Sequence, residues 1–179
     1  MIPWHTFKPE QGKLLLAEPT LNDPIFSRAV ILLISHDEMG SMGLMLNKPL
    51  DSSKYDGMLL NNSIFMGGPV SNNEVYILHN KASHTGAEVI LDGVYLNGEE
   101  SILEHITNQE SEGKIFLGYC GWSEGQLDAE VSERSWIILP AQSMWVFKQL
   151  TENLWHDLIK HLGDKYHEFL KYPLDVRWN

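Results

Sequence analysis

The stretch Gly118-Tyr119-Cys120-Gly121-Trp122-Ser123-Glu124-Gly125-Gln126-Leu127 constrains the fold most. It follows the apolar run Ile115-Phe116-Leu117 and leads into a helical pattern. A strand, a glycine-rich turn and a helix start must therefore fit into one short segment. Ser123 precedes Gln126 by three residues, which is the spacing of a capping box. In that arrangement the Ser123 hydroxyl takes the Gln126 amide and the Gln126 side chain returns to the Ser123 amide. Glu124 falls in the first turn, where the helix dipole favours a carboxylate. Leu127 and Val131 are expected to face the core. Glu130 and Arg134 form an i,i+4 pair expected on the exposed face.

The same residues contain Gly121-Trp122-Ser123-Glu124-Gly125, the G-x-S-x-G of a nucleophile elbow. A hydrolase would draw an acid from Asp157 or Asp164 and a base from His156, His161 or His167. Three observations oppose that reading. The first half is rich in hairpin signals and does not build a doubly wound parallel sheet. The chain of 179 residues is short for that class. The capping box accounts for Ser123 without chemistry. The glycine spacing G-x-x-G-x-x-x-G also matches neither nucleotide fingerprint.

Upstream, Lys13–Ala17 and Ala29–Ser35 read as buried strands. His36-Asp37-Glu38 reads as a solvated turn leading to a strand over Met42–Asn47. Asp51–Asn62 suggests a short helix. Ile64–Met66 and Val75–His79 read as strands. Asp92-Gly93, set between apolar runs, signals a hairpin. Asn97 is placed to cap a helix over Glu99–Gln109, which Gly113 ends. Downstream, Trp136–Leu139 is a strand and Gln142–Leu150 a helix. Thr151 caps Glu152–Leu162, with Leu154, Trp155, Leu158 and Leu162 on one face and Gly163 as its stop. A last helical turn covers Tyr166–Leu170. Strands first, then helices and strands mixed, give an α+β class and a single domain over 1–179. Residues 1–11 form an N-terminal arm and 164–179 a C-terminal extension.

The net charge of −11 repels phosphate backbones and anionic membranes, and no basic recognition helix is visible. Direct nucleic-acid binding and membrane association are therefore not expected. The single cysteine, Cys120, allows no intrachain disulfide, ends an apolar strand and reads as a buried, inert thiol. No secretory signal or spanning segment is seen, so a cytoplasmic location is expected. The eight histidines form no H-x-x-x-H pair, so neither metal nor cofactor is expected. Trp136, Trp145 and Trp155 stand at core-like positions.

Several segments, in order, resemble the bacterial YqgE/AlgH family. They are Lys13–Ala17 with Asp23-Pro24 and Phe26-Ser27-Arg28; Met42-Gly43-Leu44 with Asn47-Lys48-Pro49-Leu50; Gly67-Gly68-Pro69-Val70 and Leu78-His79; Gly118-Tyr119, Gly121-Trp122, Gly125-Gln126-Leu127 and Glu130; and Trp136 and Trp155. The set spans nearly the whole chain up to Gly163. Cys120 departs from it, standing where the family usually has a small residue. The resemblance implies a bifurcated sheet that includes a small closed barrel, flanked by helices. It brings no catalytic residues. It does bring a description as a transcriptional regulator, through a link to alginate biosynthesis.

The expected function is thus a non-enzymatic regulatory or binding role, exerted through a protein or small-molecule partner. A Ser123 hydrolase and a direct DNA binder are the alternatives. Candidate ligand-binding residues are Asn47, Lys48, Gly67, Gly68, Pro69, Gly118, Gly121, Trp122, Gly125 and Gln126. The three turns that carry them are expected to converge on one face, with Trp122 packed between them.

Overall fold

The structure is a computed structural model that describes residues 7–21, 23–51, 64–82, 84–149 and 151–172. The helix expected over Asp51–Asn62 lies outside the described residues, apart from Asp51 itself.

Among the described residues, nine strands form one mixed sheet: β1 (Lys13–Ala17), β2 (Val30–Asp37), β3 (Gly40–Met45), β4 (Ile64–Met66), β5 (Val70–His79), β6 (Glu88–Leu91), β7 (Val94–Leu96), β8 (Gly113–Ser123) and β9 (Trp136–Pro140). The α-helices of the described residues are α1 (Ser101–Thr107), α2 (Gln126–Ser132), α3 (Ser143–Val146) and α4 (Leu154–His161). A 3-10 helix spans Asp164–Lys171. The strand order is β6-β7-β5-β8-β3-β2-β1-β9, with β4 paired to β8 off that path.

The eleven-residue β8 organises the sheet. One edge pairs antiparallel with β5. The other takes β4, in parallel, at Ile115–Leu117 and then β3, antiparallel, at Cys120–Ser123. Two strands in succession on one edge make the sheet fork there, as the expected bifurcation requires. The expected closed barrel is not formed. Strands β6 and β9 end the pairing path and do not pair with each other, so the sheet curls but stays open. The segment before β1 narrows the gap: Gln11 Nε2 donates to the Val89 carbonyl at 2.8 Å and Ala141 N–H to the Gly12 carbonyl at 3.2 Å.

Alternation along the strands separates two cores. Leu14, Leu16, Leu32, Leu44, Phe116, Ile137 and Leu139 face one side, under α3, α4 and the 3-10 helix. Leu15, Ile31, Leu33, Met45, Cys120, Trp122, Trp136 and Ile138 face the other, under α2. Helix α4 buries Leu154, Trp155, Leu158 and Ile159 on one stripe, which explains why so short a helix is stable here.

Several local expectations differ from what forms. His36 and Asp37 belong to β2, so the hairpin turn is confined to Glu38-Met39. Asn97 does not cap α1. It adopts φ +56°, and its Oδ1 takes the Ile77 amide at 3.0 Å, acting as a strand partner for β5. Helix α1 starts only at Ser101, and Gly113 opens β8. Its buried stripe is Ile102 and Ile106, while Leu103 is exposed. Helix α3 is a single turn rather than Gln142–Leu150. Helix α4 starts from Asn153, while Thr151 is buried and accepts the Leu154 amide on its carbonyl at 3.0 Å. The Asp92-Gly93 hairpin forms between β6 and β7. Among the described residues no helix is long and apolar enough to cross a membrane.

Candidate functional site

The glycine turns are explained first by how closely their backbones approach. A Cβ on Gly67 would lie 2.1 Å from the Gly118 carbonyl oxygen, and one on Gly68 2.1 Å from the Tyr119 carbonyl carbon. Gly118 has φ +69°, and a Cβ there would lie 2.6 Å from the Val70 carbonyl oxygen. No side chain fits at these three positions. They pack two backbones against each other at the fork of the sheet. Asn47 holds backbone as well, since its Oδ1 takes the Val30 amide at 2.8 Å and its Nδ2 donates to the Arg28 carbonyl at 2.9 Å. Lys48 Nζ donates to the Ser27 carbonyl at 3.0 Å, and the Lys48 carbonyl takes the Met66 amide at 2.9 Å. Pro69 sits between Gly68 and the start of β5, and Val70 beside it is half-exposed.

The Gly67–Pro69 turn therefore meets β8 at Gly118 and Tyr119, whereas the Asn47–Pro49 turn is held against the start of β2 and against β4. Trp122 is not between them. It lies further along β8 on the opposite core face, edge-on to Trp136 with ring centroids 6.1 Å apart. Its indole N–H donates to Glu130 Oε2 at 2.9 Å, and the Trp136 indole donates to the same oxygen at 2.7 Å. Gln126 Nε2 donates to Glu130 Oε1 at 2.9 Å. Glu130 is thus the acceptor that joins α2, β8 and β9; the expected pair with Arg134 is not among the ion pairs of the described residues, because α2 ends at Ser132 and Arg134 turns to φ +65°. No local signal separates those roles, because both indoles are remote in sequence or lie across a turn.

Half of the expected capping box forms. Gln126 Oε1 takes the Ser123 amide at 3.0 Å. The Ser123 hydroxyl does not cap α2. The N-cap is Gly125, in the left-handed region at φ +67°, and the helix has no side-chain cap. Ser123 is the last residue of β8, so its side chain is set by the strand and not by the helix.

That placement turns Ser123 towards a cleft of about 450 Å³. Cross-strand pairing fixes which side chains line it. Ser35 is opposite Met42 and Met42 opposite Gly121, so they share a face with Asp37, Tyr119 and Ser123. This is the face of the first core, beyond the cover of α3 and α4. Gly121 leaves the floor bare: the nearest neighbours of a Cβ there would be the Tyr119 ring at 3.1 Å and the Val70 side chain at 3.7 Å. Met39, 87% exposed at the hairpin tip, and half-exposed Val70 form apolar rims. Between Val70 and Val75, β5 loops out from its pairing with β8, and Ser71 has φ +48°. Irregularities of this kind re-aim a strand next to a binding surface. Of the sequence candidates, Gly121 and Trp122 border the cleft. Asn47, Lys48, Gly67, Gly68, Pro69, Gly118, Gly125 and Gln126 do not. The lining residues Ser35, Asp37, Met39, Met42 and Tyr119 were not among the sequence candidates. Their shared face follows from strand register, which a single sequence does not show.

Two further groups bear on chemistry. No histidine lines the cleft. His36 Nδ1 is 2.7 Å from Ser41 Oγ, and its Nε2 is 4.0 Å from Asp128, but His36 and Ser41 are opposite Trp122 and so point to the other face. Cys120 is fully buried, its thiol donates to the Gly67 carbonyl at 3.3 Å, and burial pushes its pKa up to about 12. The thiolate is therefore suppressed.

A curled, open mixed sheet forked at one long strand, with a cleft where one core face runs beyond its helices, defines a single-domain α+β protein. The AlgH-like family model matches residues 14–167, and the chain belongs to that family. A "UPF0301 protein" of Chlamydia caviae is 39% identical over 180 residues, covering 95% of each chain. Another, of Bacteroides thetaiotaomicron, is 35% identical over 174 residues, covering 92% of this chain and 89% of its own. The solution structure of the AlgH protein from Pseudomonas aeruginosa superposes with a TM-score of 0.69 at 25% identity, covering 93% of this chain and 98% of that one. The fold is shared with a crystal structure of a Corynebacterium diphtheriae protein, with a TM-score of 0.79 at 21% identity and coverage of 91% and 92%.

Proposed function

We propose that the chain is a non-enzymatic binding protein that takes a small amphipathic ligand, or a partner's side chain, in the Tyr119–Gly121 cleft. The observation that supports this most is the missing side chain at Gly121. Gly121 is not held to glycine by backbone crowding, as Gly67, Gly68 and Gly118 are, yet its bareness opens the floor between Met42 and Tyr119. Pockets of this kind combine an apolar lining with a few polar groups that orient the ligand. Here the polar groups are Ser35, Asp37 and Ser123. Any regulatory role is then indirect. The charge of −11 opposes DNA, and the cleft offers Asp37 rather than a cation.

Methyl NMR of Met39, Met42 and Val70 during a fragment screen tests the reading. Hits that move these methyls support it; a screen whose hits leave all three unmoved contradicts it. The hydrolase alternative rests on Ser123 bordering the same cleft. Ester turnover that vanishes in Ser123→Ala would establish that alternative instead. A competitor-resistant gel shift at physiological salt would establish direct DNA binding.

A further inference from the structure

Arg28 and helix α4 form a second, chemically different place on the molecule. The Arg28 guanidinium lies over the Trp155 ring at 5.3 Å. Its Nη1 donates to His156 Nε2 at 3.1 Å and its Nη2 to the Tyr172 carbonyl at 2.5 Å. Among the described residues no carboxylate pairs with it, although the chain carries an excess of acids. A guanidinium only donates, so His156 Nε2 accepts and the imidazole proton sits on Nδ1. That Nδ1 is buried and has no hydrogen-bond partner among the described residues. Beside His156 opens a crevice of about 360 Å³, lined by Lys148, Asn153, His156, Asp157 and Lys160. Lys148 is paired with Asp157, whereas Lys160 has no carboxylate among the described residues. Two lysines thus flank one carboxylate in the crevice, with Arg28 behind His156, in a protein whose overall charge is strongly negative.

We propose that this crevice, between α4 and the Lys148 and Asn153 segment before it, binds a small oxyanion, a phosphate or carboxylate group, held by Lys160 and His156, with Arg28 behind the imidazole. The site goes beyond the cleft reading and does not depend on it. The charged groups bearing on His156 are Arg28 from the Asp23–Arg28 turn, Lys160 and Asp157 from α4, and Lys148 through Asp157. Burial, Arg28 and Lys160 all hold His156 below its ordinary pKa, against the weaker pull of Asp157. An anion in the crevice reverses that balance and favours the imidazolium. A doubly protonated His156 can no longer accept from Arg28. The ring, no longer held as an acceptor by Arg28, then offers an N–H to the anion from the crevice wall. Binding is therefore coupled to proton uptake at His156.

The test follows the His156 ring proton by NMR through a pH titration of the full chain, with His156→Gln identifying the resonance. The titration is run in sodium chloride, in inorganic phosphate and in succinate, at matched ionic strength. We expect the apparent His156 pKa to rise by about half a unit or more in phosphate, in succinate or in both, as differential binding to the two protonation states requires. A rise in phosphate alone assigns a phosphate site, one in succinate alone a carboxylate site, and one in both a general oxyanion site. The exposed Lys160→Gln, which removes a cation without touching the core, should abolish the rise. An unchanged His156, a rise that persists in Lys160→Gln, or an equal rise at exposed His167 would overturn the proposal.

Discussion

The Glu130 carboxylate takes a hydrogen bond from each of two indoles, Trp122 and Trp136, on one oxygen and from Gln126 on the other. Hydrogen bonds to charged groups contribute ~1.5–3 kcal/mol each, and they are not additive when they share an acceptor. Glu130→Ala is therefore expected to destabilise by about 2–4 kcal/mol in urea unfolding, and Glu130→Gln, which keeps an acceptor, by less. Equal losses for the two variants would mean that packing, and not the acceptor, matters there. Trp122 itself is 7% exposed in the core under α2, so Trp122→Ala should cost ~3–5 kcal/mol. A nearly unchanged melting temperature would contradict that. Cys120 should resist iodoacetamide at pH 8 in the native chain and react once unfolded, because burial keeps it a thiol. Rapid native labelling, read by mass, would refute the buried reading.

Among the elements, β8 and its glycines make the sharpest contrast. Gly68→Ala places a Cβ 2.1 Å from the Tyr119 carbonyl carbon, so it must push two backbones apart. It should destabilise by more than ~3 kcal/mol, or prevent folding. Gly125→Ala meets nothing within 4 Å and carries only the cost of φ +67°, of ~1–2 kcal/mol. Comparable melting of the two variants would be inconsistent with this geometry. Lys114, also on β8, is buried beneath the Lys148 carbonyl and the Phe65 ring. Burial lowers its pKa to about 7, with Glu112 opposing. Between that value and its unfolded pKa near 10.5, the unfolded chain binds more protons than the folded one. Stability should then rise with pH through this window, and Lys114→Met should flatten the rise; an unchanged slope would rule out the shift.

These elements also show what the sequence could reveal. Strand existence was legible wherever a β-branched apolar run met a turn residue, as at Val30–Ile34 and Trp136–Leu139. Capping was not. Ser123, Asn97 and Thr151 have the right chemistry, but tertiary partners place them in strand ends or in the core. The barrel failed for a different reason: closure depends on whether β6 reaches β9, a long-range pairing that local pattern does not encode.

At the scale of the whole molecule, the helices cover the first-core face only in part, and the cleft lies where β2, β3, β5 and β8 run beyond them. The Gly67–Pro69 turn packs on Gly118 at the fork for structural reasons, while the proposed binding surface lies a few residues along β8, where the nearest neighbours of Gly121 are side chains and not backbone. The single glycine gives a direct handle. Gly121→Leu should fill the floor without meeting backbone, so the fold should persist. Ligand binding, measured by the shifts of the Met39, Met42 and Val70 methyls with the fragments that bind the parent chain, should fall at least about tenfold, the size of a ~1.4 kcal/mol loss. A folded Gly121→Leu protein that binds the same fragments with unchanged affinity would contradict the assignment of the cleft as the functional site.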